Sequence, residues 1–199
     1  MKKRIALGVV LALAMAGIAG CSSDGSDMGG MGHGSDSSQS PAASAEFNDA
    51  DVTFVQGMIP HHQQAVEMAT LAETRADSAE VKGLAAKIKG AQDPEIKQMQ
   101  GYLKDWGQNE PSGMGGDSMS MDHGMMSDAD MTKLEDASGA EFDQMFLTMM
   151  IEHHKGAIEQ AETELADGKS AGAKKLAKAI VTAQKAEITT MEDLIGKAG

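Results

Sequence analysis

Residues 51 to 103 and 143 to 195 align without a gap at an offset of 92, with about 20 identities in 53 positions, so most of the chain is built twice. Paired positions include Asp51/Asp143, Phe54/Phe146, Met58/Met150, Ile59/Ile151, His61/His153, His62/His154, Ala65/Ala157 and Glu67/Glu159. Further along stand Leu84/Leu176, Ile88/Ile180, Gln92/Gln184, Ile96/Ile188 and Met99/Met191. Within each copy apolar residues recur at three and four, the period of two amphipathic helices. The break falls near 76 to 78, where Ser78 and Ser170 are placed to cap the second helix of each copy and Gly168 to stop the helix before it. Short turns make each copy an antiparallel hairpin, and two hairpins close an all-α four-helix bundle. In an up-down-up-down bundle the first and third helices run parallel, so equivalent positions should lie at one level. Pro60 and Pro94 predict bends, the first freeing the carbonyl of Gln56 beside the histidines.

The ends and the middle are of different character. Lys2, Lys3 and Arg4 precede an apolar run, so residues 1–20 read as a signal peptide, and Ile18-Ala19-Gly20-Cys21 resembles the lipobox of bacterial lipoproteins. By that resemblance Cys21 becomes a lipidated N-terminus, and the domain works at the outer face of a membrane or in the periplasm. A bare short hydrophobic anchor is the other reading. Residues 21–45 form a Ser- and Gly-rich tether that carries Met28, Met31 and His33. The first hairpin occupies 46–106 and the second 132–199. Between them a crossover, 107–131, holds Met119, Met121, His123, Met125 and Met126, which makes it a candidate accessory metal-collecting tract. The chain has 30 acidic and 17 basic residues, a net charge of −13, and no basic cluster beyond residue 4, which argues against nucleic acid and for cations as partners. With one Cys there is neither an intramolecular disulfide nor a Cys-based zinc site.

The chemistry concentrates at the repeated His-His pairs. At about 100° per residue, Met58, His61 and His62 share the apolar face of the first helix, as do Met150, His153 and His154 on the third, and Met149, four residues before His153, is a further candidate ligand beside them. Four uncharged imidazoles packed in a core would leave ring nitrogens unsatisfied at roughly 1 to 3 kcal/mol each, a cost a bound metal removes. Imidazole suits zinc, copper, iron or nickel, whereas thioether sulfur selects copper, above all Cu(I). Di-iron bundles supply carboxylates through Glu-x-x-His, but here Met58, Ile59, Met150 and Ile151 stand three before the histidines. Asp51 and Asp143 share the face two turns away, about 10 Å along the axis, and read as outer partners of the metal or as helix-starting residues. Glu95 and Glu187 are expected on a solvated face, Gln92 and Gln184 as a buried pair fixing register, and Met99, Met145 and Met191 as core filler. Tyr102 and Trp106 are expected to cap the bundle.

Asp-x-x-Phe-x-x-x-Met-Ile-x-His-His-x-x-Ala stands at 51 to 65 and again at 143 to 157. It resembles the signature of the bacterial family known as domain of unknown function 305 (DUF305), and the match spans roughly 47 to 197. The resemblance implies a ferritin-like four-helix fold, export and, for some members, copper binding in metal homeostasis. It carries metal-binding candidates onto Met58, His61, His62, Met150, His153 and His154. Glu152 in place of Pro60, and Gln160 in place of Met68, imply that the halves differ in affinity. The expected function is a membrane-anchored extracytoplasmic protein that sequesters Cu(I) or hands it between donor and acceptor proteins, with Cu(II) or zinc as other candidate ions. A ferritin-like metal oxidase, and a structural or partner-binding helical lipoprotein without metal, stand as alternatives.

Overall fold

Helix signals in the sequence become five helices in the computed structural model, which describes residues 46–111 and 123–198. They are α1 (Asp49–Arg75), α2 (Ala79–Trp106), α3 (Asp128–Asp136), α4 (Gly139–Asp167) and α5 (Ala171–Ala198). Cys21, Met28, Met31 and His33, with the signal segment and tether, lie outside the described residues, as do Met119 and Met121. Among the described residues no helix is long and apolar enough to cross a membrane.

Both hairpins form where the periodicity places them. Asn48 and Asp51 make a reciprocal capping box at the start of α1, and the Ser78 hydroxyl accepts from the N–H groups of Glu80 and Val81 to start α2. Pro60 and Pro94 lie inside helices that continue through them. The short helix α3 is an addition to the expected crossover: Ser127 caps it, and its Leu134 is fully buried.

Two aspartates fix how the hairpins meet. Asp51, at the start of α1, accepts from the N–H groups of Lys169 (3.1 Å) and Ser170 (2.8 Å) in the turn that follows α4. Asp143, at the start of α4, accepts from Asp77 (3.2 Å) and Ser78 (2.8 Å) in the turn that follows α1. Asn48 donates to the carbonyl of Asp167 at 2.9 Å, and Ala76 pairs with Gly139. Each helix therefore begins where the other ends, so α1 and α4 run antiparallel. This corrects the parallel arrangement expected of an up-down-up-down bundle. The contact is reciprocal, residue 51 on 170 and 143 on 78, which is the signature of a two-fold relation between the copies. With α1 and α4 antiparallel, the crossover from α2 to α4 has to run the length of the bundle, the single long connection of ferritin-like folds.

Packing follows the same symmetry. Between hairpins, α1 against α4 is the main contact. One apolar cluster gathers Ala65, Met68, Ile88, Phe142, Phe146, Met150 and Met191; the other gathers Phe54, Met58, Met99, Leu103, Ala157 and Ile180. At the open end Trp106 stacks between Phe47 (5.0 Å) and Tyr102 (5.4 Å), as the capping expectation had it.

Candidate metal centre

Antiparallel helices related by a two-fold axis bring equivalent residues together only where they cross. In this chain the crossing falls on the histidines. The rings of His61 and His153 lie 3.8 Å apart between centroids at 43°, and all four histidines are buried, at most 1% exposed. This polar layer separates the two apolar clusters.

Each hairpin supplies a partner from its second helix. His62 donates Nε2–H to the carboxylate of Glu95 at 2.9 Å, and His154 donates to Glu187 at 2.8 Å. His61 donates Nε2–H to the backbone carbonyl of His123 at 3.0 Å. A proton held on Nε2 leaves the lone pair on Nδ1, and a carboxylate or carbonyl on the outer nitrogen is how proteins orient a metal-binding imidazole. Among the described residues, Nδ1 of His61, His62, His153 and His154 and Nε2 of His153 are buried without a hydrogen-bond partner. Both amide atoms of Gln92 and Oε1 of Gln184 are likewise buried and unpaired. Burial, reinforced by the neighbouring His62, pulls the His61 pKa down to about 3 from the usual 6.5. Burial, then His61, holds His153 well below its ordinary value. These two rings are neutral at any pH near 7, each with a proton on one nitrogen and a lone pair on the other that a cation could take.

The other candidate residues are distributed as follows. Met58 and Met150 are fully buried one helical turn from His61 and His153, in opposite apolar clusters, so they flank the histidine layer from its two sides rather than face each other. Met149 lines a surface groove with Glu141, Gln144, Met145 and Thr148. Asp51 and Asp143 stand about 15 Å along the helix axis from the histidine layer and spend their carboxylates on the hairpin turns, so the structure makes them capping residues, not outer partners of a metal. Of the described accessory residues, His123 is exposed, Met125 is half-buried, and Met126 packs on the cluster that holds Met150. Among the described residues no three His, Cys, Asp or Glu side chains form a ready-made cage.

Glu95 and Glu187 correct the expectation of a solvated face: their side chains are 20% and 19% exposed and bind histidines. The pattern was available, because Ile88, Gln92, Glu95 and Met99 follow the seam at steps of four, three and four, and Ile180, Gln184, Glu187 and Met191 repeat it.

A profile of DUF305, a domain of unknown function, matches residues 51–195. The fold is similar to the crystal structure of a candidate secreted DUF305 protein from Streptomyces coelicolor (TM-score 0.68, 35% identity, covering 74% of this chain and 93% of that one). It is also similar to a DUF305 fragment from Deinococcus radiodurans (TM-score 0.69, 32% identity, 75% and 97%). CopM in its Cu(II)-bound form matches with a TM-score of 0.66 and 30% identity over 75% of this chain and 97% of that one. CopM structures with Cu(I) and silver match as well. Among curated proteins none matches the chain.

Proposed function

The chain belongs to the DUF305 family, and from that premise we propose that it is an exported copper-binding protein that holds Cu(I) at the histidine layer and sequesters it or hands it on. The observation that carries the reading is the set of five buried ring nitrogens with no hydrogen-bond partner, spread over four histidines, three of them in His61 and His153, the two rings that burial keeps neutral. Each such nitrogen weakens the metal-free fold by roughly 1 to 3 kcal/mol, so the arrangement is one that a bound cation stabilises. CopM, similar in fold, is solved with Cu(II), with Cu(I) and with silver, which supports copper as the ion. The buried thioethers of Met58 and Met150 suit the same ion. We propose the ligand set to be His61, His62, His153 and His154, with Met58 and Met150 completing it from either side of the layer. Met28, Met31, His33, Met119, Met121, His123, Met125 and Met126 serve as collecting ligands outside the core.

We infer export from the basic start and the apolar run, which a candidate secreted relative supports, and a lipid anchor at Cys21 from the lipobox resemblance alone. A ligand that binds only the folded state raises its melting temperature. Anaerobic Cu(I) and Ag(I) should therefore raise the melting temperature of the full-length chain, and Zn(II) should raise it less. No shift with any of the three would return the histidines to a packing role.

Glu95 and Glu187 favour one rival reading, since they place carboxylates beside the histidines where a harder, redox-active metal could use them. Here they already accept Nε2–H from His62 and His154, which makes them orienting groups in a binding site. Metal-dependent oxygen consumption would select the oxidase.

A further inference from the structure

Positions 64 and 156 are equivalent in the duplication, yet one is Gln and the other Gly. Both touch the same piece of backbone, the end of the long crossover. The Gln64 amide donates to the carbonyl of Met126 at 2.9 Å and accepts from its N–H at 2.7 Å, a two-bond clamp. Across the groove, a Cβ on Gly156 would collide with the carbonyl of His123. Gly124, at φ +74°, has no room for a side chain either, because a Cβ there would strike the backbone of Glu152. The segment is thus seated between α1 and α4 by an amide on one side and bare backbone on the other. From that seat the His123 carbonyl reaches Nε2 of His61. His153, the repeat partner of His61, has no such contact on either nitrogen.

We propose that residues 123–126 are a strap that aligns His61 as a metal ligand, with Gln64 and Gly156 as the positioning residues that seat it. The proposal rests on the metal reading above. A carbonyl can only accept, so the docked strap holds the His61 proton on Nε2 and turns the Nδ1 lone pair inward, beside His153. Without the strap both tautomers are open to His61, and binding is weakened by the fraction held in the wrong one together with the loss of ring orientation. One half of a symmetric core is thereby placed under the control of the Met-rich crossover, which ties the collecting tract to the ligand it would load.

The test uses the full-length chain labelled with nitrogen-15 at histidine. Long-range proton–nitrogen spectra of the metal-free protein should show His61 as a single Nε2–H tautomer in the wild type. In Gln64→Ala and Gly156→Ala its two nitrogens should move toward averaged shifts, with helical content unchanged and His62 and His154 still on their glutamates. Ag(I) affinity should fall about tenfold in both variants. Gln64→Glu keeps the acceptor for the Met126 N–H and should fall between wild type and Gln64→Ala. An unchanged His61 tautomer in both variants would overturn the strap, and so would tautomer averaging with undiminished Ag(I) affinity. If the wild type takes up no Ag(I), the metal reading fails and the ligand role with it. A strap-dependent tautomer in the metal-free spectra keeps that outcome distinct from failure of the strap itself.

Discussion

Single side chains carry the unsatisfied polarity of the core. His61 and His153 meet at the two-fold crossing with three unpartnered nitrogens between them, a site where leucine would pack without a polar debt. The double variant His61→Leu/His153→Leu should raise the melting temperature of the metal-free protein and abolish the rise produced by Cu(I); lower metal-free stability would mean the imidazoles are satisfied after all. Glu95 acts one step out. Glu95→Ala leaves α2 intact but frees His62 to rotate, and Ag(I) affinity should fall roughly 10- to 100-fold in a competition titration at unchanged helical circular dichroism. The histidines were legible because two adjacent polar residues recur on an apolar stripe in both copies. Their glutamate partners were hidden by their charge, since a Glu at a seam position reads as solvated until the neutral imidazole opposite it is seen.

The four long helices were readable from capping and periodicity, down to the break at 76 to 78, whereas the short α3 was not. Their mutual direction was not, because a gapless duplication fits parallel and antiparallel hairpins equally well; the reciprocal bonds of Asp51 and Asp143 decide it. Asp143→Ala removes the acceptor for two turn N–H groups and should cost about 1 to 2 kcal/mol in chemical denaturation while leaving metal affinity alone. A further asymmetry sits beside Asp51. Burial, then Asp51, pushes the carboxyl of Glu164 up to about 8 from 4.5, whereas the equivalent position in the first copy is Ala72. A raised folded pKa means stability present below 4.5 and lost as pH rises through about 8. Glu164→Gln should therefore melt higher than wild type at pH 8, with the advantage shrinking toward pH 4.5.

At the scale of the whole molecule, the duplication closes on itself through one two-fold axis and puts its most polar layer on that axis, between two apolar halves. The same layer should make the metal-free protein acid-sensitive. His61 has a folded pKa near 3 against an ordinary 6.5, so its contribution is present above about 6.5 and is lost as pH falls toward 3. The unfolding free energy should drop by a few kcal/mol over that window, and His61→Leu should flatten the profile. Of the crossover, residues 123–126 lie beside the histidine layer, His123 on His61 and Met126 on Gln64. If the four-histidine layer holds Cu(I), anaerobic titration against a chromophoric chelator will show it. The full-length chain should outcompete the chelator and the His61→Leu/His153→Leu variant should not; equal competition by the two would contradict the account and move copper to the Met-rich tract.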